Sequence, residues 1–93
     1  MKIYIAGPMT GIREFNRPAF MFTAARLQGK GHVVLNPATL PDGLEQREYM
    51  DICLAMLRCC DAIYLLKNWN QSAGARAECA LAEKLNLEII YEG

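Results

Sequence analysis

The sequence predicts one α/β domain: a three-layer sandwich of four parallel strands, in the order 2-1-3-4, with helices on both faces. Three observations lead there. The chain has 93 residues, enough for one domain and a modest core. It is 53% hydrophobic and 22% charged, which fits a compact chain and argues against disorder. Short apolar runs alternate with helical segments in the order β-α-β-α-β-α-β, a pattern that calls for a parallel sheet with right-handed crossovers. No repeat, low-complexity segment or linker interrupts it.

The first strand is "KIYIA", Lys2 to Ala6, stopped by Gly7-Pro8. Asn16 to Gln28 reads as a helix, with Asn16 as its cap and Pro18 tolerated in its first turn. Gly29-Lys30-Gly31 ends it. "HVVL", His32 to Leu35, is the second strand, and Asn36 to Leu44 is a loop punctuated by two prolines. Glu45 to Cys60 is the second helix and Ala62 to Leu66 the third strand. A polar loop from Lys67 to Ala73 carries Trp69. Gly74 to Asn86 is the third helix and Leu87 to Tyr91 the fourth strand. In open parallel sheets, ligands bind beyond the carboxyl ends of the strands. Here those ends feed Gly7–Gly11, Asn36–Leu44 and Lys67–Gly74, which makes these the loops to search.

Ten basic residues balance ten acidic ones, so charge gives no case for nucleic acid or an acidic membrane surface. Cys53, Cys59, Cys60 and Cys79 contain no C-x-x-C pair, and with His32 as the single histidine no zinc-ligand spacing appears. Reduced, mostly buried thiols are expected, with no metal and no cofactor. The N-terminus opens directly on a strand, and no run approaches a membrane span. These features place the protein in the cytoplasm.

One acid stands out. At about 100° per residue, Ala77, Leu81, Ala82 and Leu85 of the third helix gather on one side, and Glu78 falls among them. A buried carboxylate is costly unless paired. A capping box would need Ser or Thr at position 75, where the chain has alanine. Either Glu78 is functional, or it forms an internal salt bridge or escapes to solvent at the helix edge. On the second helix Tyr49, Cys53, Met56 and Cys60 centre the apolar face. Asp51 points away from it, as a solvated surface charge does.

The loops supply the neighbours. Ser72-Ala73-Gly74-Ala75 precedes a helix N-terminus, where small residues let backbone N–H groups approach an anion and the serine hydroxyl adds a donor. The same pattern serves as a plain cap. Gly7-Pro8-Met9-Thr10-Gly11 is neither a dinucleotide fingerprint nor a P-loop. It is an anion-binding loop with Thr10 or Arg13 as donor, or an ordinary βα turn. Tyr4 reads as a core tyrosine with its hydroxyl satisfied. Trp69 would stack on a nucleobase or fill a subunit interface. His32 reads as a structural or surface histidine.

"IYIAGPMTG", "CDAIYLL" and "SAGARAECALA" together resemble the nucleoside 2-deoxyribosyltransferase-like superfamily, which includes nucleoside 5′-monophosphate N-glycosidases. The nearest likeness is to its small members, often found in phage and prophage, and it spans nearly the whole chain. The resemblance implies a flavodoxin-like (Rossmann-like) fold and cleavage of the bond between a sugar C1′ and a base. It implies Glu78 as the nucleophile, Tyr4 as a site tyrosine, Ser72 as a phosphate ligand with Gly74 in its loop, and Gly7 and Gly11 as glycines of a phosphate loop that also holds Pro8 and Met9. It implies a homo-oligomer whose sites are completed by a neighbouring subunit, and a nucleotide or nucleoside as small-molecule partner.

Two departures bear on this. The hydrolases resembled have serine and arginine where this chain has Pro8 and Thr10, leaving Arg13 or Arg76 to supply the cation. Many members also carry an aspartate eight residues before the aspartate that opens the third strand, and counting back from Asp61 reaches Cys53. Asp51 serves as the second acid only if the helix shifts register. The expected function is therefore N-glycosidic bond hydrolysis or (deoxy)ribosyl transfer, or else a non-catalytic nucleotide-binding module of the same fold.

Overall fold

The structure is a computed structural model that describes residues 1–93. Its strands are β1 (Lys2–Ala6), β2 (Val33–Leu35), β3 (Ala62–Leu65) and β4 (Glu88–Tyr91), and its helices α1 (Arg17–Gly29), α2 (Gln46–Arg58) and α3 (Ala73–Lys84). All strand pairs are parallel and the order is β2-β1-β3-β4, as the sequence predicts. Register sets Tyr4 against Leu35 on one side and Ile63 on the other.

The two faces of the sheet bury different residues, following the two-residue period of a strand. Ile3 and Ile5 of β1 pack with Phe20, Ala24 and Leu27 of α1. Tyr4 and Ala6 pack with Cys53 and Leu57 of α2 and with Ala75, Cys79 and Ala82 of α3. Helix α1 therefore covers one face, and α2 and α3 cover the other. β1 sits between β2 and β3, so the chain reverses direction across the sheet at the β1 and β3 carboxyl ends. That is the position where a crevice opens in such sheets.

The buried face of α3 differs from the one its hydropathy predicts. Its buried side is Ala75, Glu78, Cys79 and Ala82, while Ala77 and Leu85 are exposed. Packing against both the sheet and α2 draws in the small side chains and rotates the face away from Leu85. Glu78 stays buried under either assignment. Asn16 does not cap α1 with its side chain; it adopts a left-handed backbone and its Nδ2 donates to the Pro8 carbonyl oxygen at 2.9 Å. Helix α2 starts with a capping box: the Glu48 carboxylate accepts from the Glu45 N–H at 2.7 Å and the Glu45 side chain accepts in return. His32 lies just before β2, its Nδ1 3.1 Å from the amino terminus. Cys53, Cys60 and Cys79 are buried free thiols and Cys59 is an exposed one. No helix is long and apolar enough to cross a membrane.

Candidate active site

Tyr4 stands two residues before the end of β1, on the face that α2 and α3 cover. It is fully buried, and its hydroxyl donates to Glu78 Oε2 at 2.7 Å. Glu78 projects inward from the second turn of α3 and is 6% exposed, the only charged residue type in the buried set. Burial pushes its carboxyl up to about 7, and the hydrogen bond from Tyr4 opposes the rise. Cys53 closes the group from α2. Burial pushes its thiol up, the neighbouring Tyr4 hydroxyl holds it back, and the charge of Glu78 adds to the rise. A carboxyl poised near neutrality beside a protonated thiol and a protonated phenol can attack an electrophile or carry a proton.

These groups form the floor of a cleft of about 800 Å³, within the range that holds small ligands. One wall is the loop after β1, Gly7 to Thr10, and the other is the start of α3. Gly7 is required by packing, because a Cβ there would lie 2.8 Å from the Leu66 Cβ. On the opposite wall Ser72 Oγ accepts from the Ala75 N–H at 3.2 Å and caps α3. The N–H groups of Ala73 and Gly74 meet no acceptor within the protein and face the cleft end of the helix. At the mouth Arg17, from the first turn of α1, forms an ion pair with Asp42. No three His, Cys, Asp or Glu side chains converge to hold a metal ion.

The family model described as "Domain of unknown function (DUF4406)" matches residues 1–91. The chain belongs to the DUF4406 family. No curated protein matches it. Among solved structures it is similar to a 2-desoxiribosyltransferase from Leishmania mexicana, with 23% identity and a TM-score of 0.78. The match covers 97% of this chain and 62% of that one, so the DUF4406 chain spans less than two thirds of that protein's length. At this identity the likeness shows a shared fold.

The DUF4406 chain brings together Tyr4, Glu78, Gly7, Pro8, Met9, Thr10, Ser72 and Gly74 around one cleft. Five other sequence candidates lie elsewhere. Gly11 takes a left-handed φ of 81° in the exposed turn beyond the cleft. Trp69 packs on Tyr91 with ring centroids 6.3 Å apart and borders a separate small cavity. It does not line the cleft that holds Glu78. Asp51 is exposed on the outer side of α2, where the helical rotation puts it, and no register shift brings it in. Arg76 donates to the Asn70 carbonyl oxygen at 2.9 Å, and neither it nor Arg13 lines the cleft. The cation that does line it is Arg17, which no motif in the sequence marks. Its signal was position: the first turn of a helix that follows a strand-end loop faces the ligand edge of the sheet.

Proposed function

We propose that the protein cleaves the N-glycosidic bond of a nucleotide or nucleoside, by hydrolysis or transfer, with Glu78 as the nucleophile. The observation that carries this is the Tyr4–Glu78 hydrogen bond at 2.7 Å on the floor of the cleft. Tyr4 fixes Oε2 and leaves Oε1 to approach the sugar. In the ionised form Oε1 attacks C1′, the C1′–N bond breaks, and its electron pair leaves with the base, which takes a proton from water. Water, or an acceptor base in transfer, then attacks C1′ and frees the carboxylate, giving up its own proton to solvent. The unpaired N–H groups of Ala73 and Gly74 and the Ser72 hydroxyl suit an anionic or hydroxyl-rich part of the substrate.

The proposal extends to assembly and setting. Met21 and Phe22 on the outer face of α1 are 50% and 72% exposed, an apolar surface that suits a second copy of the chain. Free thiols suit the reducing cytoplasm. The test of function is release of free base from a panel of nucleosides and nucleoside monophosphates, ribo and deoxy, beside Glu78→Ala. Base release that survives Glu78→Ala would refute the assignment.

A second reading has its own observation. Cys53 occupies the place beside Glu78 where a proton-donating acid would help the base to leave, and its thiol is pushed away from acidity. The site would then hold a nucleotide-like ligand without turnover. Saturable binding of a nucleotide with no base released over long incubation would favour it.

A further inference from the structure

The cleft holds one cation and two anions: Arg17, Asp42 and Glu78 are the charged residues along its lining. Arg17 is therefore its only fixed positive charge. Its guanidinium is steadied from two sides, by Asp42 Oδ1 and by the Phe15 ring, whose centroid lies 5.4 Å away. The two partners of the ion pair differ in their freedom. The Arg17 side chain is 33% exposed, half-seated between the cleft and α1, whereas Asp42 is 72% exposed on a loop. An ion pair with so exposed a carboxylate is weak and readily exchanged. A guanidinium presents a planar fork of donors that matches a phosphate better than a single carboxylate oxygen.

We propose that Arg17 is the specificity-determining residue of the cleft, engaging a phosphate monoester of the ligand in exchange for Asp42. This rests on the reading of the cleft as a nucleotide or nucleoside site, and it selects the phosphorylated class. Asp42 acts as an internal competitor: it occupies Arg17 when the cleft is empty and swings to solvent when phosphate arrives. Phe15 keeps the guanidinium in place through the exchange. The chain thus supplies from α1 the cation that its β1 loop, with Pro8 and Thr10, does not carry.

The test uses ribose 5-phosphate and ribose as probes, titrated calorimetrically into wild type, Arg17→Met, Arg17→Lys and Asp42→Asn. We expect wild type to prefer ribose 5-phosphate, and Arg17→Met to cut the ratio of the two affinities at least about tenfold. Arg17→Lys keeps the charge without the fork and should fall between. Asp42→Asn removes the competitor and should tighten ribose 5-phosphate alone. Thermal melts confirm that each variant is folded, and two independent substitutions moving affinity in opposite directions exclude a simple loss of structure. An unchanged ratio in Arg17→Met, weaker phosphate binding in Asp42→Asn, or no preference for ribose 5-phosphate in wild type would overturn the proposal. Each of these results leaves Glu78-dependent base release to stand or fall by itself.

Discussion

Glu78 is an acid whose surroundings disfavour its charge, and its titration can be read in two ways. Its carboxyl titrates at 4.5 in the unfolded chain and at about 7 in the folded one. Between those values the folded state keeps a proton that the unfolded state has lost, so stability falls as pH rises through the window and the loss is complete above it. The rise corresponds to about 3 kcal/mol. Glu78→Gln preserves an acceptor for Tyr4 without the charge. It should therefore match wild type in thermal melts at pH 4 and exceed it at pH 8, by up to about 3 kcal/mol. Equal stability at both pH values would show that Glu78 titrates normally. The proposed catalysis would have the opposite dependence, because its attacking form is ionised: base release should climb with pH through about 7. Tyr4→Phe removes the hydrogen bond that holds the carboxyl down, so the climb should move to higher pH. A limb that stays in place would separate Tyr4 from Glu78. Burial of this acid was legible in the sequence, because 78 shares a helix face with 82 and no cap explains it. Its partner was not, because Tyr4 lies 74 residues away and only the fold joins them.

The elements that frame the cleft were largely legible as well. Strand order and helix placement follow from alternation and short apolar runs, and the observed bounds differ from expectation by a residue or two at most termini. Local patterning was less reliable where two packed layers compete for one helix. Leu85 looked inward by hydropathy yet is 42% exposed, because the close approach of α3 to the sheet runs through Ala75, Cys79 and Ala82. The turn from Glu14 to Asn16 is left-handed at three successive non-glycine residues, which nothing in its sequence announces. Two substitutions test how the cleft walls are held. Gly7→Ala puts a methyl 2.8 Å from Leu66 and should destabilise the protein by about 1–3 kcal/mol. Ser72→Ala removes the α3 cap and should cost about 1 kcal/mol, with a fall in base release from the loosened wall. Chemical denaturation measures both. An unaffected midpoint in Gly7→Ala would mean that the β1 loop is not seated on Leu66.

At the scale of the whole molecule, a chain of 93 residues spends its core on both faces of one sheet and leaves an apolar strip on α1 uncovered. If that strip joins two copies, wild type should sediment as a dimer or larger species, and Phe22→Glu should shift it to a monomer. A wild type that stays monomeric at high concentration would remove the assembly proposal without touching the site. The outer face of α1 gave no warning in the sequence, since a helix apolar on several sides reads the same whether its surplus faces a core or a partner. The cleft itself follows from topology. β1 and β3 stay paired to their carboxyl ends, where the Leu66 N–H donates to the Ala6 carbonyl oxygen, and beyond them the loop after β1, the start of α2 and the start of α3 close around a gap. The central claim is that this gap breaks a sugar–base bond through Glu78. Its most direct test is chromatographic measurement of free base from nucleosides and nucleoside monophosphates, with wild type and Glu78→Ala side by side. We expect release by wild type and its loss in Glu78→Ala. Equal release by both proteins, or none by folded wild type on any member of the panel, would contradict it.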